Sequence, residues 1–177
     1  LFYFMWFNKV RIFISGSAPL SEQSLNEFNA KFKNATLLEG YGLSECSPAV
    51  CVNRLDWQKP LSVGLPLPGY EVKIVNDEMM EVKTGIVGEI MVKGDCVMQG
   101  YLNHPDATDE TIINGWLLTG DLGKKDEDGF IYIVDRKKDL IISKGINIYP
   151  REIEEVIYKY EGVDATAVVG LRDEQTK

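Results

Sequence analysis

The sequence is poor in the residues that build disulfide scaffolds, metal cages and membrane anchors. Its three cysteines, Cys46, Cys51 and Cys96, are odd in number and show no CxxC spacing. A disulfide framework or zinc site is therefore not expected, and a reducing compartment fits. The single histidine, His104, stands in Asn103-His104-Pro105-Asp106, which reads as a turn, and no second histidine exists to share a metal ion. Positive charge is scarce as well: 19 Lys and Arg against 27 Asp and Glu leave a net charge of −8. That balance argues against a nucleic-acid surface, which needs clustered basic residues. The apolar opening, Leu1 to Phe7, is too short to span a bilayer and lacks the basic flank of a signal peptide. Cytoplasmic placement is the resulting expectation, with no transmembrane segment; peripheral membrane contact and an oligomer stay compatible with the sequence.

With 45% hydrophobic and 26% charged residues, the composition is that of a folded globular protein. The opening apolar run reads as an element cut in its middle. Ala165 to Gly170 reads as a core strand with only polar residues after it. Both ends predict a piece of a longer chain. Basic residues gather locally at Arg136-Lys137-Lys138 and Lys144. Such a patch suits one anionic ligand, or is simply a solvated surface.

Hydrophobic periodicity divides the chain. Val10 to Ser15 reads as a strand buried on both faces, broken by Gly16-Ser17-Ala18-Pro19. Ser21 is a plausible N-cap for a helix whose apolar stripe is Leu25, Phe28 and Phe32. A second strand follows at Thr36 to Glu39, ended by Gly40-Tyr41-Gly42. A strand-helix-strand unit puts its strands parallel and side by side. Both small-residue turns then lie at the carboxyl ends of their strands, the edge where open α/β sheets bind ligands.

From about Leu61, short strands (Glu71 to Val75, Gly88 to Lys93, Phe130 to Val134) alternate with Gly and Pro turns, which reads as a small twisted sheet or barrel. A short helix is expected near Asp106 to Ile113. Beyond the charged stretch at Arg136, Pro150 opens a helix at its preferred first position, with Ile153, Val156, Ile157 and Tyr160 as its apolar face. The change of pattern places a domain boundary near Arg136.

The stretch with most chemistry is Leu38-Glu39-Gly40-Tyr41-Gly42-Leu43-Ser44-Glu45. A Tyr between glycines offers an aromatic face where backbone can approach a ligand closely. A hydroxyl beside a carboxylate, Ser44-Glu45, can hold a phosphate and its Mg²⁺. Taken alone, the stretch is equally a turn ending a strand. Gly40 to Glu45 nevertheless closely resembles the GYGxTE motif of the adenylate-forming superfamily, with Ser in the Thr position. That superfamily includes acyl-CoA synthetases, luciferase and the adenylation domains of peptide synthetases.

The resemblance implies that Tyr41 stacks on adenine, Ser44 contacts phosphate and Glu45 ligates Mg²⁺, while Gly42 sits near the substrate carboxylate and Glu39 belongs to the same nucleotide-binding stretch. Gly16-Ser17-Ala18-Pro19-Leu20 is similar to the family's GGAPL-type segment, along the adenine and acyl pocket. Val63 to Gly69 resembles the entry to a third subdomain, and Gly88-Glu89-Ile90 through Gly100-Tyr101-Leu102-Asn103 a barrel block without direct chemistry. Thr119-Gly120-Asp121 matches the TGD motif, in which Asp121 accepts from the ribose hydroxyls; an isolated TGD would be only a turn.

Asp135 to Gly145, with Glu152-Ile153-Glu154, resembles the linker and the start of a mobile lid. By this likeness Arg136 contacts ribose and phosphate, Lys138 is the hinge residue, and Gly145 approaches the pantetheine arm of coenzyme A. A Lys that luciferase-like members carry at the position of Ile142 is absent, so its role is not carried over. The family's phosphate loop would lie before Leu1 and its catalytic Lys beyond Lys177, so this piece alone is expected to be inactive.

The implied fold is α/β: the C-terminal part of a large adenylate-forming domain (1–57 a strand-helix-strand unit, 58–135 a barrel-like subdomain), a hinge at 136–138, and the start of a small α+β lid at 139–177. The implied function is ATP-dependent activation of a carboxylic acid, a medium- or long-chain fatty acid by the text of Gly145 to Glu154, and transfer to coenzyme A. The implied small molecules are ATP or AMP, Mg²⁺ and coenzyme A. The competing readings are an amino-acid or aryl-acid adenylation domain and a non-catalytic nucleotide-binding fragment.

Overall fold

A computed structural model describes residues 9–18 and 20–171. The apolar opening Leu1 to Phe7 and Pro19 lie outside the described residues.

The first unit is the expected parallel pair. Strand β1 (Ile12–Ser15) runs beside β2 (Thr36–Gly42), with Ile12 opposite Thr36 and Ser15 opposite Glu39. Helix α1 (Glu22–Lys31) crosses between them, and Ser21 accepts the Ser24 N–H as N-cap. Phe13 faces the helix, its ring centroid 5.1 Å from Phe28 and 5.3 Å from Phe32. Burial on both faces of β1 is not found: Ile12 and Ile14 are 42% and 72% exposed. Only the Phe13 side carries a helix, and β1 pairs with β2 alone among the described residues.

A second correction concerns Gly40-Tyr41-Gly42. These residues do not turn; they extend β2 and pair antiparallel with β3 (Ala49–Val52), across a register shift between Tyr41 and Gly42. The glycines are there for proximity. A Cβ on Gly42 would lie 1.9 Å from the Pro48 carbonyl oxygen, and one on Gly40 would lie 3.2 Å from that of Cys51. The chain reverses instead through a single 3₁₀ turn, Ser44–Cys46.

β4 (Leu65–Pro66) completes this sheet, and Leu67-Pro68-Gly69-Tyr70 makes the expected reversal, with Gly69 at φ 93° and the Tyr70 N–H donating to Leu67 O. The second sheet is antiparallel throughout: β5 (Tyr70–Val75), β6 (Gly88–Gly94) and β8 (Trp116–Lys125) in order. The short β7 (Ile112–Ile113) pairs with the start of β8, and β9 (Ile131–Arg136) with its end. Among the described residues no ladder closes this sheet into a barrel. The expected short helix is α2 (Pro105–Thr111). The two sheets share one core, in which Cys46, Val50 and Cys51 pack with Ile74, Ile90, Val92, Leu117 and Ile131.

After β9 come a 3₁₀ turn (Lys137–Asp139), a hairpin of β10 (Ile141–Ser143) and β11 (Ile146–Ile148), and helix α3 (Pro150–Ile157) with Pro150 in its first turn. The expected strand at Ala165 to Gly170 is not paired into a sheet. Its backbone donors go to side chains instead: Thr166 N–H to the Tyr158 hydroxyl and Val168 N–H to Glu154. No described helix is long and apolar enough to cross a membrane.

Two predictions follow from this packing. Because the Gly42 clash is with backbone that cannot rotate away, Gly42→Ala should destabilise the protein by at least about 2 kcal/mol, read by thermal denaturation. Gly16→Ala, which meets only a 3.4 Å contact, should stay within about 0.5 kcal/mol. Burial pushes the Cys46 thiol up to about 11 and the Cys51 thiol up to about 12, whereas Cys96 is exposed. Since the thiolate is the reactive form, brief alkylation of native protein near pH 8 should label Cys96 and spare the other two, as read by peptide mass mapping; equal labelling would contradict this packing.

Candidate functional site

A cavity of about 830 Å³ lies where the two sheets and the segment after β9 meet. Of the residues singled out from sequence, Ser17, Ala18, Glu39, Gly40, Tyr41, Gly42, Glu45, Asp121, Arg136 and Lys138 line it. Gly16 is one residue from the lining, and its backbone approaches Gly40 O closely enough that a Cβ would lie 3.4 Å away. Ser44 sits between the lining residues Leu43 and Glu45 without lining the cavity itself. Gly145 is elsewhere. With Lys144 (φ 52°) it forms the two-residue turn of the β10–β11 hairpin at φ 78°, and none of the described residues lies within 4 Å of its Cβ position. Its glycine is explained locally by a left-handed turn.

The centre of the site is Asp121. On β6 two residues, Glu89 to Met91, pair with Leu122 and Leu118, four apart on β8. Between them β8 has three residues, Thr119 to Asp121, where β6 has one, Ile90, so this stretch bulges from the β6 side toward the cavity, which all three line, while Asp121 stays paired with Arg136 on β9. Gly120 takes φ 72° at this excursion. Side chains receive the displaced backbone donors: Gly120 N–H donates to Glu89 and Asp121 N–H to the Thr119 hydroxyl. Tyr41 donates its hydroxyl to Asp121 Oδ2 at 2.6 Å, and Arg136, directly opposite Asp121 on β9, brings Nε within 3.4 Å of Oδ1. Burial first, and then the carboxylate, push the Tyr41 phenol far above its ordinary value, so it stays a donor. Each Asp121 oxygen keeps a further lone pair for a ligand hydroxyl.

Glu39 forms a buried flank. Desolvation raises its carboxyl, opposed by the Leu61 N–H it accepts at 3.0 Å and by the charge of Arg151. Glu45 stands on another wall, where Tyr101 donates its hydroxyl to Oε1 at 2.9 Å. Burial and this bond raise the Tyr101 phenol. No group of three or more His, Cys, Asp or Glu among the described residues could cage a metal. A single carboxylate lining the cavity suits Mg²⁺, which keeps waters and takes phosphate oxygens in place of a full protein cage.

Among the lining or supporting groups that sequence reasoning missed are Tyr101 and Arg151. Tyr101 belongs to a block assigned no chemistry, yet it holds Glu45. Arg151, next to the helix-opening Pro150, lines the cavity and donates to the Ile133 carbonyl at 3.0 Å, while its own N–H reaches Asp135 at 3.1 Å. Neither contact has a local sequence signal, because each joins elements far apart in the chain. Removing the Tyr101 hydroxyl (Tyr101→Phe) in the full-length protein should raise the Mg²⁺ concentration for half-maximal nucleotide binding about fivefold, the equivalent of one hydrogen bond of about 1 kcal/mol. An unchanged Mg²⁺ titration would leave Glu45 independent of Tyr101.

Known proteins carry the same arrangement of sequence and fold. The model of the AMP-binding enzyme family matches residues 5–102. A long-chain-fatty-acid–CoA ligase of Escherichia coli O6:H1 is 48% identical over 166 residues, which is 93% of this chain and 29% of that protein. ATP-bound MatB from Rhodopseudomonas palustris superimposes with a TM-score of 0.87 at 40% identity, over 93% of this chain and 33% of that one. The o-succinylbenzoate coenzyme A synthetase MenE of Bacillus subtilis, in complex with ATP and magnesium ion, gives 0.84 at 37% identity over 93% of this chain and 34% of that one. The chain thus spans about a third or less of the proteins it resembles. With the family model matching more than half its residues, this chain belongs to the AMP-binding enzyme family.

Proposed function

We propose that the protein containing this chain is an acid–thiol ligase that activates a long-chain fatty acid with ATP and transfers it to coenzyme A. The observation that carries the reading is the single cavity into which the Glu39–Glu45 stretch, the Thr119–Asp121 excursion and the Arg136–Asp139 segment all project. The acid class rests on the 48% identity to a long-chain-fatty-acid–CoA ligase.

In this reading Asp121 accepts from the ribose hydroxyls and Arg136 lies over the same sugar and the phosphates. Tyr41 supports Asp121 with its hydroxyl and offers its ring to adenine. Gly16, Ser17 and Ala18 border the adenine and acyl side, with Gly42 near the reacting carboxylate. Ser44 contacts phosphate, and Glu45 holds Mg²⁺, which offsets phosphate charge. A carboxylate oxygen of the acid attacks the α-phosphorus and the bond to pyrophosphate breaks. The thiol sulfur of coenzyme A, after losing its proton, then attacks the acyl carbon and AMP leaves. The residues act by positioning and electrostatics. Residues 1–135 form the body, 136–138 a hinge about Lys138, and 139–177 the start of a lid whose Gly145 turn comes to the pantetheine arm.

ATP–pyrophosphate exchange by the full-length protein across a panel of acids tests the substrate class. Exchange with long-chain fatty acids is expected; exchange only with aryl acids would favour the alternative that the likeness to o-succinylbenzoate coenzyme A synthetase supports. Asp121→Ala should weaken ATP binding about 50-fold, since it removes a charged acceptor of roughly 2–3 kcal/mol. Unchanged nucleotide affinity in calorimetry would take Asp121 out of the ribose site.

A further inference from the structure

Glu89 is a buried carboxylate with no place in the chemistry above. It lies on β6, its side chain 10% exposed, opposite Leu122 on β8. Its two oxygens are divided between two elements. Oε1 accepts the Gly120 N–H at 3.1 Å, and Oε2 takes the Lys137 ammonium at 2.9 Å. Gly120 is the residue before Asp121, and Lys137 is the residue after Arg136. One carboxylate therefore grips the neighbours of both members of the Asp121–Arg136 pair. An acid this sheltered is costly unless both oxygens are satisfied. Here Lys137 supplies the counter-charge and takes a second, exposed partner in Asp77 at 3.1 Å.

The excursion of residues 119–121 makes such a grip necessary. A backbone N–H that leaves a ladder needs a new acceptor. Thr119 provides one for Asp121, and Glu89 provides one for Gly120. Without the second, the N–H of the residue that leads into Asp121 loses its acceptor at a left-handed glycine. On the other side, Arg136 approaches Asp121 at a loose 3.4 Å and its side chain is 62% exposed, so its own contact does not fix the segment. The Lys137–Glu89 pair is shorter and more buried, and it sits where 3₁₀ residues follow the end of β9.

We propose that Glu89 is a positioning residue that sets Asp121 and Arg136 in register on the nucleotide side of the cavity. This rests on the nucleotide reading of that side. It assigns Glu89 no contact with substrate; its effect passes through Gly120 and Lys137.

Three single variants and one double variant of the full-length protein separate the two grips. Glu89→Ala removes both, Glu89→Gln keeps an acceptor for Gly120 without the charge, and Lys137→Met leaves Glu89 charged and unpaired. ATP affinity by calorimetry, below each variant's measured melting point, should fall about 30-fold or more for Glu89→Ala and about three- to tenfold for Glu89→Gln. The Glu89→Gln, Lys137→Met double variant should bind ATP like Glu89→Gln alone, because Gln needs no counter-charge. KM for the acid should stay within twofold of wild type throughout. Amide hydrogen exchange, read without nucleotide, should quicken at Gly120 and across 136–138 in Glu89→Ala, and only at 136–138 in Lys137→Met. Folded Glu89→Ala that binds ATP within twofold of wild type would overturn the proposal. So would equal losses for ATP and the acid, which would mark a merely structural role. If the wild type bound no ATP, the nucleotide reading would fall. Exchange at Gly120 that stayed as slow as in wild type would then overturn the positioning role too, and quickened exchange would uphold it.

Discussion

The 2.6 Å bond from the Tyr41 hydroxyl to Asp121 joins two sheets across 80 residues of sequence, and the site is arranged around it. One end comes from the strand that leaves the parallel pair, the other from the excursion in β8. Bringing them within reach requires both sheets to share a core. The hydrocarbon for that core is supplied by Cys46, Val50 and Cys51 on one side and Ile74, Ile90 and Leu117 on the other. The bond is charge-assisted and largely sheltered, so it belongs to the stronger class of hydrogen bonds. It also holds the phenol in its protonated, donating form. A Tyr in this place is thus set at its hydroxyl end, and its ring can border the cavity only in the orientation that this anchor permits.

Closeness of backbone is the second condition. For Tyr41 to reach across, β2 has to continue past Glu39 and lie tight against β3. Gly42 then has no room for a side chain against Pro48, and Gly40 has little against Cys51. The same tightness recurs where Gly64, at φ 86°, would press a Cβ to 2.0 Å from the Val52 carbonyl carbon. These glycines are consequences of sheet packing at the site's floor. A ligand would benefit from the low profile that results, but the packing alone demands it.

Much of this was legible in advance where the signal is local. Ser21 as N-cap, the Leu25-Phe28-Phe32 stripe, the Pro68-Gly69 reversal and Pro150 at a helix start all depend on a few adjacent residues, and each appears as read. The parallel pairing of β1 and β2 followed from the connection between them. What could not be read is what tertiary contact decides. Gly40-Tyr41-Gly42 has turn composition and strand geometry because its partner, β3, arrives from further along the chain. Ala165 to Gly170 has strand composition but joins no ladder among the described residues. The exposure of Ile14 depends on which elements cover β1. In the site, motif residues were found by resemblance, and the cavity brings most of them together. Tyr101, Arg151 and Glu89 were passed over, since supporting side chains are defined by what they touch.

The way the last segment is attached bears on the proposed hinge. Helix α3 meets β9 through polar contacts: Asp135 accepts the Arg151 N–H, and the Arg151 guanidinium donates to Ile133 O. Of α3 only Pro150 is buried, while Ile153 and Val156 are 40% and 56% exposed. Little apolar area therefore fixes this orientation, and hydrogen bonds worth about 1 kcal/mol each on balance against water do not lock it. An orientation held by exchangeable polar contacts can be left at small cost, which is what rotation about 136–138 would require. Lys137 is the exception, tied to buried Glu89 on the body side of Lys138. A pivot works when one side of it is anchored and the other is lightly held, and here the change from one to the other falls between Lys137 and Arg151.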